Sequence, residues 1–167
     1  MYIPFEKLPP PSRIWVYQAD RSFSTEEEKI IFEALTNFCS TWEAHGDPLR
    51  TSFKIEFNRF VILSVDESSA GASGCSIDGS FRVLKGLGEQ FNINFFDRTK
   101  VAFLVNGEIE TYSLNQLRSL FETAQLKPST LTFNTLVATK GEWEANWKTT
   151  AEKSWLIKYL PKDALSV

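Results

Sequence analysis

Two cysteines, Cys39 and Cys75, and one histidine, His45, are all the soft or imidazole ligands that 167 residues provide. They do not make a zinc-site pattern, so no metal and no cofactor is expected. No apolar run approaches the length of a membrane span, and the opening MYIPFEKLPPP has no signal-peptide hydrophobic segment. These absences predict a cytoplasmic protein with no membrane association, whose two thiols stay reduced. The formal charge is −3. Non-specific nucleic-acid binding needs a cationic surface, and there is no basic excess to supply one. Internal repeats, low-complexity tracts and interior linkers are also missing.

Aromatic residues are plentiful: 14 Phe, 5 Trp and 4 Tyr. Most of the Phe fall in strand-like or helix-like runs, which reads as core rather than as a recognition surface. Residues 1–12 read as an extended lead-in, with Pro9-Pro10-Pro11 as a stiff polyproline spacer. Residues 13–167 then read as a single globular α+β domain, a mixed or antiparallel sheet with helices packed on it.

Along the chain, RIWVYQ from Arg13 is a strand with both faces partly apolar. Ser24-Thr25-Glu26-Glu27 is a capping box. The helix it opens carries the stripe Ile31, Leu35, Phe38 and Trp42, with Cys39 beside it, and Gly46 is its expected end. The alternation Phe53, Ile55, Phe57 gives a half-exposed strand. It forms either a hairpin with the apolar run from Phe60 or one long bulged strand with it. Phe81, Leu84, Leu87 and Phe91 mark a second helix, weakened near its end by Gly86 and Gly88. VAFLV (101–105) reads as an interior strand, and Asn106-Gly107 as a type I′ turn into its hairpin partner. Ser113 to Gln116 caps a further helix, Thr130 to Val137 resembles a last strand, and Thr139 to Glu142 is a third capping signal.

The stretch from Asn58 to Ser80 organises the rest. A buried strand, Phe60 to Val65, ends in Asp66 and Glu67. A run of small residues, Ser68 to Gly74, then leads through Cys75 and Ser76 into the second helix. Such a glycine-rich loop lets backbone N–H groups face a ligand. The expected ligand-binding set is Gly71, Ser73, Gly74, Cys75, Ser76 and Asp78, and the ligand a small anion or a protein partner. Gly74 and Gly79 have the glycine spacing of a phosphate-binding P-loop. Ser80-Phe81 stand where that motif has its lysine and its magnesium-binding hydroxyl, so nucleotide hydrolysis lacks its apparatus.

Other chemistry in this stretch is incomplete. Cys75 at a helix N-terminus would be activated by the dipole, but Asp78 opposes a thiolate and the only histidine, His45, is remote in sequence. Asp66, Glu67 and Asp78 resemble a Mg²⁺ set, yet such residues commonly cap helices. The leading expectation is a binding or interaction module using the 66–80 loop. The alternative is a thiol- or acid-dependent enzyme with Cys75, Asp66 and His45 as its catalytic candidates, and ATP hydrolysis ranks last.

RIWVYQADR, NRFVILSVDES with AGASGCSID, FFDR before VAFLV, and the Trp-rich KSW tail together resemble a family of small bacterial proteins often labelled "ABC transporter ATPase". The resemblance runs over nearly the whole chain. The label implies a complete Walker A loop and an LSGGQ-like signature. The first fails at Ser80-Phe81 and the second does not occur. The strand end Asp66-Glu67 mimics a Walker B strand, but it precedes the glycine loop.

Overall fold

The computed structural model describes residues 1–165. It has the α+β architecture expected, with antiparallel sheets and α-helices packed on them. The elements, in order, are β1 (Arg13–Gln18), α1 (Thr25–Thr41), β2 (Glu43–Ala44), β3 (Asp47–Pro48), β4 (Arg50–Glu56), β5 (Phe60–Asp66), α2 (Gly74–Phe91), β6 (Lys100–Val105), β7 (Glu108–Ser113), α3 (Leu114–Glu122), β8 (Leu131–Phe133), α4 (Lys140–Asn146) and β9 (Lys148–Thr150). Short 3₁₀ turns flank them, including Phe5–Lys7 and Trp155–Tyr159. The chain divides into two compact units. Unit 1 is Met1–Asp97 with Leu136–Glu144, and unit 2 is Arg98–Thr135 with the chain from Ala145 onward.

Unit 1 is built on a three-stranded antiparallel sheet in the order β1-β5-β4. The β-branched and aliphatic run of β5 takes the centre because every one of its residues is buried. Val61, Leu63 and Val65 face the same core as Ile31, Leu35 and Cys39 of α1 and Leu84 and Leu87 of α2. β4 and β5 are a true hairpin: the Arg59 N–H donates to the Glu56 carbonyl at 3.1 Å, with Phe57 and Asn58 at φ 53° and 50°. Phe57 and Asn58 therefore make the turn, and Arg59, the residue after them, turns inward. Arg59 donates to the Ala19 and Asp20 carbonyls at 3.1 and 2.8 Å, tying the hairpin to the end of β1.

The Ser24 capping box forms as expected, with Ser24 accepting from the Glu27 N–H and Glu27 from the Ser24 N–H. Arg21 also clasps Glu27 at 2.9 and 2.7 Å. That clasp, with the Ser24 N–H bond, holds the Glu27 carboxyl at about 2. The helix ends at Thr41, not Gly46. Trp42 leaves it in extended conformation, and Gly46, at φ 83°, instead makes the turn between β2 and β3 with His45 at φ 53°. Cys39 is as fully buried as Ile31 and Leu35 of the stripe, and burial pushes its thiol up to about 12.

In α2 the inward face is smaller than the aromatic spacing implies. Ser76, Ser80, Leu84, Leu87 and Gly88 are buried, while Phe81 is 45% exposed and stacks on Phe96, their centroids 4.3 Å apart. Residues 1–12 are not a free spacer. The Met1 ammonium donates to the Leu49 carbonyl at 2.6 Å, Phe5 and Leu8 are buried, and the buried Lys140 donates to the Leu8 carbonyl at 2.7 Å.

Unit 2 carries a four-stranded antiparallel sheet in the order β7-β6-β8-β9. The Asn106-Gly107 turn is present, with φ 51° and 80°, and β6 is interior as its apolar faces require. The expected strand over 130–137 shrinks to Leu131–Phe133, after which the sheet is completed by β9, which the sequence pattern does not announce. Phe103, Leu117, Phe121, Leu156 and Leu160 form its core.

Candidate functional site

β5 delivers Asp66 to the start of the small-residue loop, and α2 begins eight residues later. The loop is held at both ends. At its entrance, Asp66 accepts from the Ser68 N–H at 3.0 Å and faces Arg50 at 3.4 Å. Burial opposes the charge on Asp66, but the Ser68 hydroxyl and N–H and the Arg50 guanidinium outweigh it and hold the carboxyl below its ordinary range. Glu67 faces Arg13 at 3.6 Å, a partly exposed pair worth little stability by itself. Ala70 and Ala72 pack against the unit 1 core, so the middle of the loop is fastened too.

At its exit, Ser73 and Ser76 cap α2 reciprocally. The Ser73 hydroxyl accepts from the Ser76 N–H at 3.2 Å, and the Ser76 hydroxyl accepts from the Ser73 N–H at 2.8 Å. Both hydroxyls are thus engaged in the cap and not directed at a ligand. The Trp42 indole N–H donates to the Ser76 carbonyl at 2.8 Å and pins this first turn to the residue that leaves α1. With the cap made, the Ile77 N–H goes to the Ser73 carbonyl. The Gly74 and Cys75 N–H groups have no protein acceptor among the described residues. Both residues are exposed.

The glycines do less than the sequence reading asks of them. Gly71, Gly74 and Gly79 all lie outside the left-handed region, and a Cβ at Gly74 would meet nothing within 4 Å. Gly71 is the tight one, because a Cβ there would lie 3.0 Å from a Glu67 carboxylate oxygen.

The predicted residues are therefore only partly brought together. Ser73, Gly74, Cys75 and Ser76 share one helical turn, with Asp78 exposed just beyond it. Asp66 is directed to Arg50. His45 is exposed in the β2–β3 turn, and no hydrogen bond joins it to Cys75 among the described residues. No group of three or more His, Cys, Asp or Glu able to hold a metal ion forms among the described residues. Ser80, at the position of the P-loop lysine, buries its hydroxyl and donates to the Ile77 carbonyl at 2.6 Å.

Arg50, Arg13, Ser68 and Trp42 are the partners that the sequence reading did not single out. Arg50 becomes legible once the hairpin register is known, because Arg50 stands directly opposite Asp66. Trp42 carries no such signal, since its partner is a backbone carbonyl 34 residues away. Compared with known proteins, the chain matches no family model, no curated protein and no solved structure.

Proposed function

We propose that this chain is a binding module, not a catalyst, and that the first turn of α2 is where it takes a small anionic ligand. The observation that supports this reading is the disposal of charge around the loop. Asp66 and Glu67 would repel an anion, but each faces an arginine, Arg50 and Arg13 respectively. The Gly74 and Cys75 N–H groups, at the positive end of the α2 dipole, are the donors left for the ligand. A catalytic reading has no comparable support. Among the described residues no base is bonded to Cys75, and Asp66 is spent on Arg50 and Ser68. Ser80, at the lysine position, buries its hydroxyl against the Ile77 carbonyl, and Phe81 stands at the hydroxyl position, which argues against the ATPase that the family label implies. The proposal also takes the protein to be cytoplasmic and, as the resemblance to that family implies, bacterial.

The test uses Gly74→Pro. Gly74 is the first helical residue after the Ser73 cap, a position where proline fits and its missing N–H breaks no helical bond. Ser73 already has the extended backbone that a following proline requires. The variant should fold with unchanged or slightly higher stability. In the unmodified protein, phosphate or sulfate at millimolar concentration should raise the melting temperature, and Gly74→Pro should abolish most of that rise. Asp78→Asn should enlarge it, since Asp78 is the one nearby carboxylate with no cation partner among the described residues. A thermal shift that Gly74→Pro leaves intact, or no shift at all, would overturn the assignment.

A further inference from the structure

The outer face of α1 carries an apolar groove with acidic edges. Thr25, Glu28, Lys29, Phe32 and Glu33 line a cavity of about 390 Å³. Phe32 is 51% exposed, its ring held edge-on by Phe53 at 5.1 Å, so the apolar floor is fixed in place. Of the four glutamates of this helix from Glu26 to Glu33, Glu26 faces Lys29 and Glu27 is clasped by Arg21. Glu28 and Glu33, the two that line the groove, have no cation partner among the described residues.

Unit 2 carries the complementary feature. Leu156 and Leu160 anchor a 3₁₀ turn in its core and leave Trp155 53% exposed and Ile157 45% exposed. The Lys158 ammonium lies 5.4 Å from the Trp155 ring centroid, and Lys153 is exposed beside it. Neither lysine has a carboxylate partner among the described residues. The charge of the whole chain divides the same way. Unit 1 holds ten Lys and Arg against sixteen Asp and Glu, whereas unit 2 holds eight against five.

We propose that the α1 groove takes Trp155 of a second copy of this chain, with Lys153 and Lys158 of that copy meeting Glu28 and Glu33. A buried tryptophan ringed by charge pairs is the ordinary composition of an interface centre and rim. The indole suits the apolar floor of the groove, and the two unpaired carboxylates match two unpaired ammonium groups in number and sign. The contact joins unlike surfaces, so it repeats head to tail and each added copy offers a fresh groove. It is independent of the anion site on α2.

Light scattering after size exclusion, over a concentration series, reads the prediction directly. The average mass should rise with protein concentration and fall when salt is raised from about 0.05 to about 0.5 M. Trp155→Ala, an exposed change, should weaken association roughly tenfold or more. Two further chains complete the test. One carries Glu28→Lys with Glu33→Lys, the other Lys153→Glu with Lys158→Glu. Each alone presents like charges on groove and knob and should stay monomeric, while an equimolar mixture should associate again. A chain that remains monomeric at all concentrations would overturn the proposal. So would association that Trp155→Ala leaves unchanged, or a mixture that stays monomeric.

Discussion

Two glycines near the end of α2 should respond oppositely to the same substitution. Gly86 and Gly88 are both interior helical positions, where alanine is favoured over glycine by about 1 kcal/mol. At Gly86 a Cβ would meet nothing within 4 Å, so Gly86→Ala should realise that gain. At Gly88 a Cβ would collide with the Ile93 carbonyl oxygen, a backbone atom that cannot rotate away. The approach is enforced by the helix end. The Ile93 N–H donates back to the Gly88 carbonyl at 2.9 Å, past Asn92 in the left-handed conformation at φ 54°. Ile93 and Phe95 are also nearly fully buried, so the chain after the turn has nowhere to retreat. Overpacking of this kind costs about 1–3 kcal/mol, and contact with backbone belongs at the upper end. Net of propensity, Gly88→Ala should cost about 2 kcal/mol. For a chain of this size that is a fall in Tm of roughly 4–8 °C, against a rise of about 2–4 °C for Gly86→Ala. Urea titration of both variants should show shifted midpoints with unchanged slopes. Equal stability of the two variants would refute the close approach at Gly88.

Thiol accessibility should be split. Under native conditions an alkylating reagent should modify Cys75, which is exposed, and not Cys39, which reacts only after unfolding; two native-state modifications per chain would contradict the packing of α1. Against the opposing effect of burial, the Ser68 hydroxyl and N–H bonds to Asp66, with Arg50 beside them, should appear as a pH dependence. The folded carboxyl of Asp66 is lowered from 3.8, so its contribution is fully present above the unfolded value and is lost as pH falls through the folded one. Asp66→Asn should therefore be less stable than the unmodified protein at neutral pH, the gap closing below about pH 4, as denaturant midpoints across the acid range would report.

Legibility in the sequence followed the range of the interaction. Local signals read correctly: the Ser24 capping box, the Asn106-Gly107 turn and the buried run of β5 each depend on residues a few positions apart. Readings failed where a distant partner decides the outcome. Helix periodicity carries α1 through Trp42, but the helix ends at Thr41, and the Trp42 indole bonds the Ser76 carbonyl 34 residues on. Phe81 belongs to the helical pattern, but Ser76 and Ser80 lie on the buried face of α2, and Phe81 pairs with Phe96 on the exposed side. β9 is three residues long and is recruited by pairing with β8, leaving no periodicity to find.

The central loop shows the same division at the level of chemistry. Residue types place serines, glycines, a thiol and three acids within a few positions, and that density is what makes a catalytic reading attractive. Catalysis needs those groups free and convergent, whereas folding the loop consumes them. The Ser73 and Ser76 hydroxyls close the helix cap, Asp66 orders the turn at Ser68 and meets Arg50, and Glu67 meets Arg13. What the fold does not consume is backbone: the N–H groups of Gly74 and Cys75 beside an exposed thiol. Backbone donors at a helix N-terminus stabilise negative charge without supplying a proton acceptor. This is why binding, not turnover, is the function proposed for the loop, and why the decisive substitution is one that removes an N–H and leaves every side chain contact in place.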